Sequence, residues 1–148
     1  MAELLITPAP FDPEQAQKDF REGLKDTGAI TAFTGLVRGE DVTLTLSHYP
    51  DFTEGEIMKA IEQAKTRWAL SGCRVIHRVG EMASGEPIVF VATASVHRRA
   101  AFAAADFLMD YLKSSAPLWK SETKNGTTCW IEPREQDIRD RQRWNNVE

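Results

Sequence analysis

The chain has 148 residues, 42% hydrophobic and 27% charged, with 9 Gly and 7 Pro; this excludes a disordered, collagen-like or low-complexity protein and predicts one domain over residues 1–148. Eighteen Lys and Arg stand against 22 Asp and Glu, a formal charge of -4, so the chain as a whole is not a polyanion binder and any anion site must be local. No apolar run approaches the ~20 residues needed to cross a bilayer, and the opening MAELLITPAPFDPE lacks the basic and long apolar regions of a secretory signal, which makes the cytoplasm the expected compartment.

The apolar periodicity changes type several times, the mark of a mixed α/β (α+β) domain. Leu4, Leu5 and Ile6 predict a short opening strand, and Asp12 before Pro13 is an N-cap with proline at the first helical position of a helix running to about Leu24. Gly28 to Val37 is rich in β-branched and aromatic residues and Val42 to Tyr49 alternates with period two, predicting two neighbouring strands joined by a polar turn at Arg38 to Asp41. Thr53 and Glu56 form a capping box ahead of Ile57, Ile61, Ala64 and Trp68 at helical spacing. Cys73 to Val79 and Ile88 to Val96 predict a central antiparallel pair, with Gly85, Glu86 and Pro87 in the turn between them. Arg98 to Ser114 predicts an Ala-rich helix with Phe102, Ala105, Met109 and Leu112 on one stripe, stopped before Pro117. Leu118 to Thr123 and Thr127 to Glu132 flank an Asn125-Gly126 hairpin turn of type I′, and Glu135 to Trp144 reads as a charged helix.

Chemistry concentrates where a buried strand passes through His97 and Arg98 into a helix N-terminus. Unpaired amides and the macrodipole favour anions there, so Arg98 and Arg99 work against helix stability and suit a ligand instead. From His97 to Lys120 the net charge is +2, whereas residues 1–27 carry -3, a segregation that fits one phosphate-bearing ligand better than nucleic acid. Lys113 and Lys120, separated by a helix end at Pro117, can face one cleft. A lysine near other cations or partly desolvated becomes a nucleophile; kept protonated, it stabilises an oxyanion, and the residues alone leave both roles open. His48 and His77 have no companions at ligand spacing, so no metal site is expected. Cys73 and Cys129 are expected to be reduced and packed, and Tyr49 and Trp119 to be core rather than pocket. No Gly-rich phosphate loop, GxSxG or HExxH is present, which leaves a lysine and arginine site.

Six segments in order, AFTGLVRGE, LSHYPDFTE, VIHRVGE, SVHR, MDYLKSSAPLWK and CWIEPRE, resemble the large, catalytic subunits of molybdopterin synthase over nearly the whole chain. The resemblance implies an α/β hammerhead-type fold with antiparallel sheets and an additional β-hairpin subdomain. It implies a sulfurtransferase that builds the molybdopterin dithiolene on cyclic pyranopterin monophosphate, without a metal or organic cofactor of its own. Sulfur arrives as the thiocarboxylate on the C-terminal Gly-Gly of a small ubiquitin-like subunit, and two large subunits form the central dimer of a heterotetramer; neither nucleic acid nor membrane is a partner.

Matched residue by residue, the resemblance assigns substrate binding to Arg38, His97 and Arg98 and catalysis to Lys113 and Lys120, with Ser121 and Glu122 as lining residues. Three departures stand out: Leu36 occupies a position where lysine is frequent, the turn after Arg38 is short, and Ser121 replaces a common basic residue. The competing reading of the same cations is a non-catalytic binding module for a phosphate-bearing metabolite or a partner's acidic tail.

Overall fold

Two four-stranded sheets and four helices make a mixed α+β fold in the computed structural model, which describes residues 2–146. In chain order the elements are β1 (Leu4–Thr7), α1 (Pro13–Glu22), β2 (Ala29–Leu36), β3 (Val42–His48), α2 (Phe52–Trp68), β4 (Gly72–Arg78), β5 (Gly80–Ala83), β6 (Pro87–Ser95), α3 (Arg98–Ser114), β7 (Leu118–Lys124), β8 (Thr127–Ile131) and α4 (Glu135–Gln142), with a 3-10 turn at Arg143–Asn146. The first sheet has the order β1-β4-β6-β2, with β1 parallel to β4 and the other pairs antiparallel. The second, β5-β3-β7-β8, is antiparallel throughout.

Period-two alternation decides what each face of the first sheet meets. Val75, Val89 and Val91 face α2 and α3, packing on Ile57, Ile61 and Leu108. Ile76, Phe90, Ala92 and Ala94 face the other way, onto Phe20 of α1. A third cluster, Val37, Val42, Leu44, Leu46 and Met82, lies under the second sheet. Local signals hold where expected: Asp12 accepts from the N–H groups of Glu14 and Gln15 at 3.0 and 3.3 Å with Pro13 next in line. Asn125 (φ 52°) and Gly126 (φ 77°) make the left-handed pair that a type I′ hairpin requires between β7 and β8.

Several expectations are corrected. β2 and β3 do not pair: β6 takes β2 from Ala29↔Ser95 to Leu36↔Pro87, while β3 pairs with β7 and β5, so the turn between them passes the chain from one sheet to the other. The turn read at Gly85 to Pro87 does not follow directly on β4: the short strand β5 (Gly80–Ala83) lies between them, and Pro87 already opens β6. Thr53 is not an N-cap; Asp51 holds that position without a side-chain bond, and Thr53 is fully buried, its hydroxyl accepting from Tyr49 N–H (2.9 Å) and donating to Pro117 O (3.0 Å). Glu56 pairs with Lys59 instead. The buried stripe of α3 runs through Ala101, Ala104, Ala105, Leu108, Tyr111 and Leu112, leaving Phe102 exposed. Cys73 is buried, but Cys129 is exposed on β8. Among the described residues, no helix is long and apolar enough to cross a membrane.

Candidate active site

A cleft of about 600 Å³ opens beside the C-terminal ends of β2 and α3. Val37, Val42 and Leu44, members of the third core cluster, give it an apolar floor, and the connection from β8 into α4 closes one side. Arg38, Lys113, Lys120 and Arg134 bring cations to it, and Glu122, Glu132 and Asp137 bring carboxylates. The end of β2, the α3–β7 region and the β8–α4 connection therefore converge on one small charged hollow.

Each basic group has a structural reason for its place. Arg38 follows directly on the buried Val37 as the chain leaves β2, and is itself exposed. Lys113 sits in the last turn of α3, where the helix dipole favours a cation, and the helix ends at Ser115 before Pro117 turns the chain into β7. Lys120 on β7 is flanked across the sheet by Leu46 and Ile131. Burial between these neighbours and the nearby charge of Lys113, partly offset by Asp137, lower the Lys120 ammonium to about 8 from its ordinary 10.5. Near neutral pH a measurable fraction of this amine is unprotonated, a state that a surface lysine hardly samples.

Glu122 apart, the wall formed by Glu132, Arg134 and Asp137 was not assigned to a site from the sequence. Arg134, at the N-cap of α4, grips Asp137 with Nε and Nη2 at 3.3 and 3.2 Å. Burial alone raises the Asp137 carboxyl, but the hydrogen bonds and charge of Arg134, with Lys113 beyond, hold it below the usual range. Its carboxylate therefore stays charged facing the lysines. The sequence signals were the segment CWIEPRE, which holds Glu132 and Arg134, and an acidic first turn on α4, which reads equally as solvated surface. Phe33 and Leu36, exposed on β2, also line the cleft.

Of the remaining candidates, Ser121, His97 and Arg98 lie elsewhere. Glu122 lines the cleft, but alternation along β7 carries Ser121 to the opposite face, where it is buried. His97 and Arg98 are exposed at the N-terminus of α3, beyond the end of β6 that pairs with Ala29, whereas the cleft lies at the end that pairs with Leu36. Fifteen residues of helix separate Arg98 from Lys113, roughly 22 Å of rise, so one copy of the chain does not bring both to the same ligand. His97 makes no side-chain cap bond, leaving the first amides of α3 without that partner.

His77, buried beneath this region, is pushed down to about 4 by burial and by the charges of Lys120, Lys113 and His48, against a hydrogen bond with Arg78 O. It is a neutral packing group. Tyr49 and Trp119 are neither core nor cleft: they are exposed and meet edge to face at 4.7 Å. Among the described residues, no three His, Cys, Asp or Glu side chains group closely enough to hold a metal ion.

The model of the family described as MoaE protein matches residues 6–115. A molybdopterin synthase catalytic subunit from Caulobacter vibrioides is 48% identical over 142 residues, covering 94% of this chain and 95% of that one. The solved MoaE protein from Burkholderia ambifaria superposes with a TM-score of 0.84 at 37% identity, over 100% of both chains. A complex of subunits 1 and 2 of molybdopterin-converting factor from Helicobacter pylori shares the fold at a TM-score of 0.78 and 23% identity, covering 90% of this chain and 92% of that one.

Proposed function

Because the chain belongs to the MoaE protein family, we propose that it is the catalytic subunit of a molybdopterin synthase, working in the cytoplasm as one domain over residues 1–148. It transfers sulfur from the thiocarboxylated C-terminus of a small ubiquitin-like subunit to cyclic pyranopterin monophosphate. Molybdopterin synthase catalytic subunits are close relatives over nearly the whole chain, and a protein of this fold has been solved as a two-subunit complex. The observation that carries the reading is the pair Lys113 and Lys120 in one cleft with Arg38, one of the lysines held near 8.

The division of labour follows from the environments. A Gly-Gly tail has no side chains and can thread a passage beside Phe33 and the 132–134 connection, placing its thiocarboxylate against the lysines. Positive charge attracts that anion and holds its sulfur next to the pterin carbon, converting an encounter into an oriented one. As the thiocarboxylate sulfur bonds to the pterin carbon, an oxygen substituent leaves that carbon with a proton; the acyl–sulfur bond then breaks, the sulfur staying on the pterin as a thiolate and the acyl group passing to the attacking nucleophile. The Lys120 amine, unprotonated in part, attacks the acyl carbon or takes the proton from an attacking water, while Lys113 stabilises the oxyanion. Arg38 pairs with the anionic substrate. A binding module gains nothing from a desolvated amine, which the chemistry uses.

Two copies form the central dimer, and the second copy brings His97 and Arg98 to the cleft that its own helix cannot reach. Mixing the purified chain with thiocarboxylated small subunit and cyclic pyranopterin monophosphate, and following products by mass spectrometry, tests the function. Dithiolene product that appears only with the thiocarboxylated partner is expected; tight substrate binding without product would overturn the catalytic reading.

A further inference from the structure

The turn that presents Arg38 is gripped at both of its stems by a single neighbouring turn, Ser84–Glu86. On the entry side, Val37 donates its N–H to Glu86 O at 2.9 Å and accepts the Gly85 N–H at 2.8 Å. On the exit side, Ser84 Oγ accepts the Val42 N–H at 3.2 Å and donates to Val42 O at 3.4 Å. The gripped turn itself departs from ordinary backbone: Gly39 has φ 114° and Asp41 φ 53°, and a Cβ on Gly39 would come within 2.9 Å of Val42 Cγ2. Such a loop keeps one geometry only where its surroundings over-determine it.

The gripping turn is secured from below. Glu86 Oε1 accepts from Arg78 Nη1 at 3.0 Å, and Glu86 Oε2 accepts the Ala83 N–H across the turn. Arg78 is 4% exposed and is itself tied to Pro8 O at 3.0 Å and Glu81 O at 3.4 Å. A nearly buried guanidinium thus fixes a carboxylate, the carboxylate fixes a turn, and the turn fixes both ends of the segment bearing Arg38. Neither Arg78 nor Glu86 lines the cleft. We propose that Arg78 and Glu86 are positioning residues for substrate binding, their ion pair setting, through Val37 and Val42, where the Arg38 guanidinium meets the anionic substrate.

The proposal rests on the function given above, with cyclic pyranopterin monophosphate as the ligand of Arg38. Glu86→Gln is the direct test, because an amide cannot accept from both Arg78 and Ala83 as the carboxylate does. In the complex with thiocarboxylated small subunit, its KM for cyclic pyranopterin monophosphate is expected to rise roughly tenfold, with kcat within about twofold of the parent. In an Arg38→Ala background the same change is expected to leave KM where Arg38→Ala alone puts it, since nothing remains to be positioned. Ser84→Ala, which leaves the ion pair intact, is expected to raise KM several-fold and keeps the test open if Glu86→Gln folds poorly. An unchanged KM in both variants, or an equal rise with and without Arg38, overturns the proposal and leaves a merely structural ion pair. Calorimetric titration of each variant with the same monophosphate reads the effect without turnover, so failure of the catalytic reading and failure of the clamp are separable.

Discussion

Lys120 is held in a state that costs stability and suits chemistry. Its ammonium is disfavoured by burial and by Lys113, so the folded chain releases that proton near 8 whereas an unfolded chain keeps it to about 10.5. Below 8 both states are protonated and the cost is fully present; between 8 and 10.5 the unfolded state binds more protons, so stability rises with pH. Lys120→Met is therefore expected to stabilise the fold at pH 7 by on the order of 1–2 kcal/mol, discounted for partial solvent access, while abolishing turnover. Denaturant unfolding at pH 7 and pH 9.5 checks this: the parent should fall short of the variant by more at pH 7 than at pH 9.5, and identical pH slopes would refute the assignment. In the same residue, kcat/KM for sulfur transfer should climb as pH rises through about 8 and level off above it. Lys120→Arg, charged at every accessible pH, should lose both the activity and the climb.

At the scale of elements, α4 depends on its anchor more than on itself. It has eight residues, none buried, too few to persist alone in water. Arg141 on α4 lies over the Phe107 and Tyr111 rings at 5.5 and 5.9 Å, and just past the helix Trp144 meets Trp68 at 5.4 Å and Phe107 at 5.7 Å and donates from Nε1 to Asp110 Oδ2 at 2.7 Å, beside Arg143 bonded to Asp106 and Asp110 at 2.6 and 2.8 Å. Trp144→Ala is expected to cost roughly 3 kcal/mol and to speed hydrogen exchange selectively over residues 135–142. Because Arg134 and Asp137 wall the cleft, sulfur transfer should fall as well; uniform exchange protection after the substitution would show that α4 is held some other way.

The elements themselves were largely legible because their signals are local: the Asp12-Pro13 cap, the Asn125-Gly126 turn and the alternation of β3 each act within a few residues. Sheet membership was not. Whether β2 pairs with β3 or with β6 is decided by contacts some sixty residues apart, and the polar turn at 38–41 is compatible with either outcome. Thr53 misled for the same reason, its hydroxyl spent on Pro117 O across the fold rather than on its own helix. Of the site, charge and motif order identified Arg38, Lys113 and Lys120, but the desolvation of Lys120 depends on Leu46, Ile131 and the wall carried by α4, which no spacing along the chain encodes.

For the whole molecule, the length of α3 bears on the central dimer proposed above. Roughly 22 Å of helix stands between Arg98 and Lys113, so a substrate that uses both must lie between two copies of the chain. Each cleft would then take Lys113 from one copy and Arg98 from the other, and two differently damaged copies can rebuild one intact site. Lys113→Ala and Arg98→Ala should each be nearly inactive alone. Unfolded or exchanged together in equal amounts, they form a mixed dimer in which one cleft carries both lesions and the other carries neither. With half of the dimers mixed and one of two sites intact in each, recovered activity should approach about a quarter of the parent's. Lys113→Ala mixed with Lys120→Ala provides the contrast: both lesions belong to the same half of a site, so every cleft in every dimer is damaged and no activity returns. Recovery in the second mixture, or none in the first despite demonstrated subunit exchange, would mean that Arg98 does not serve the partner's cleft and that α3 holds its two ends for separate purposes.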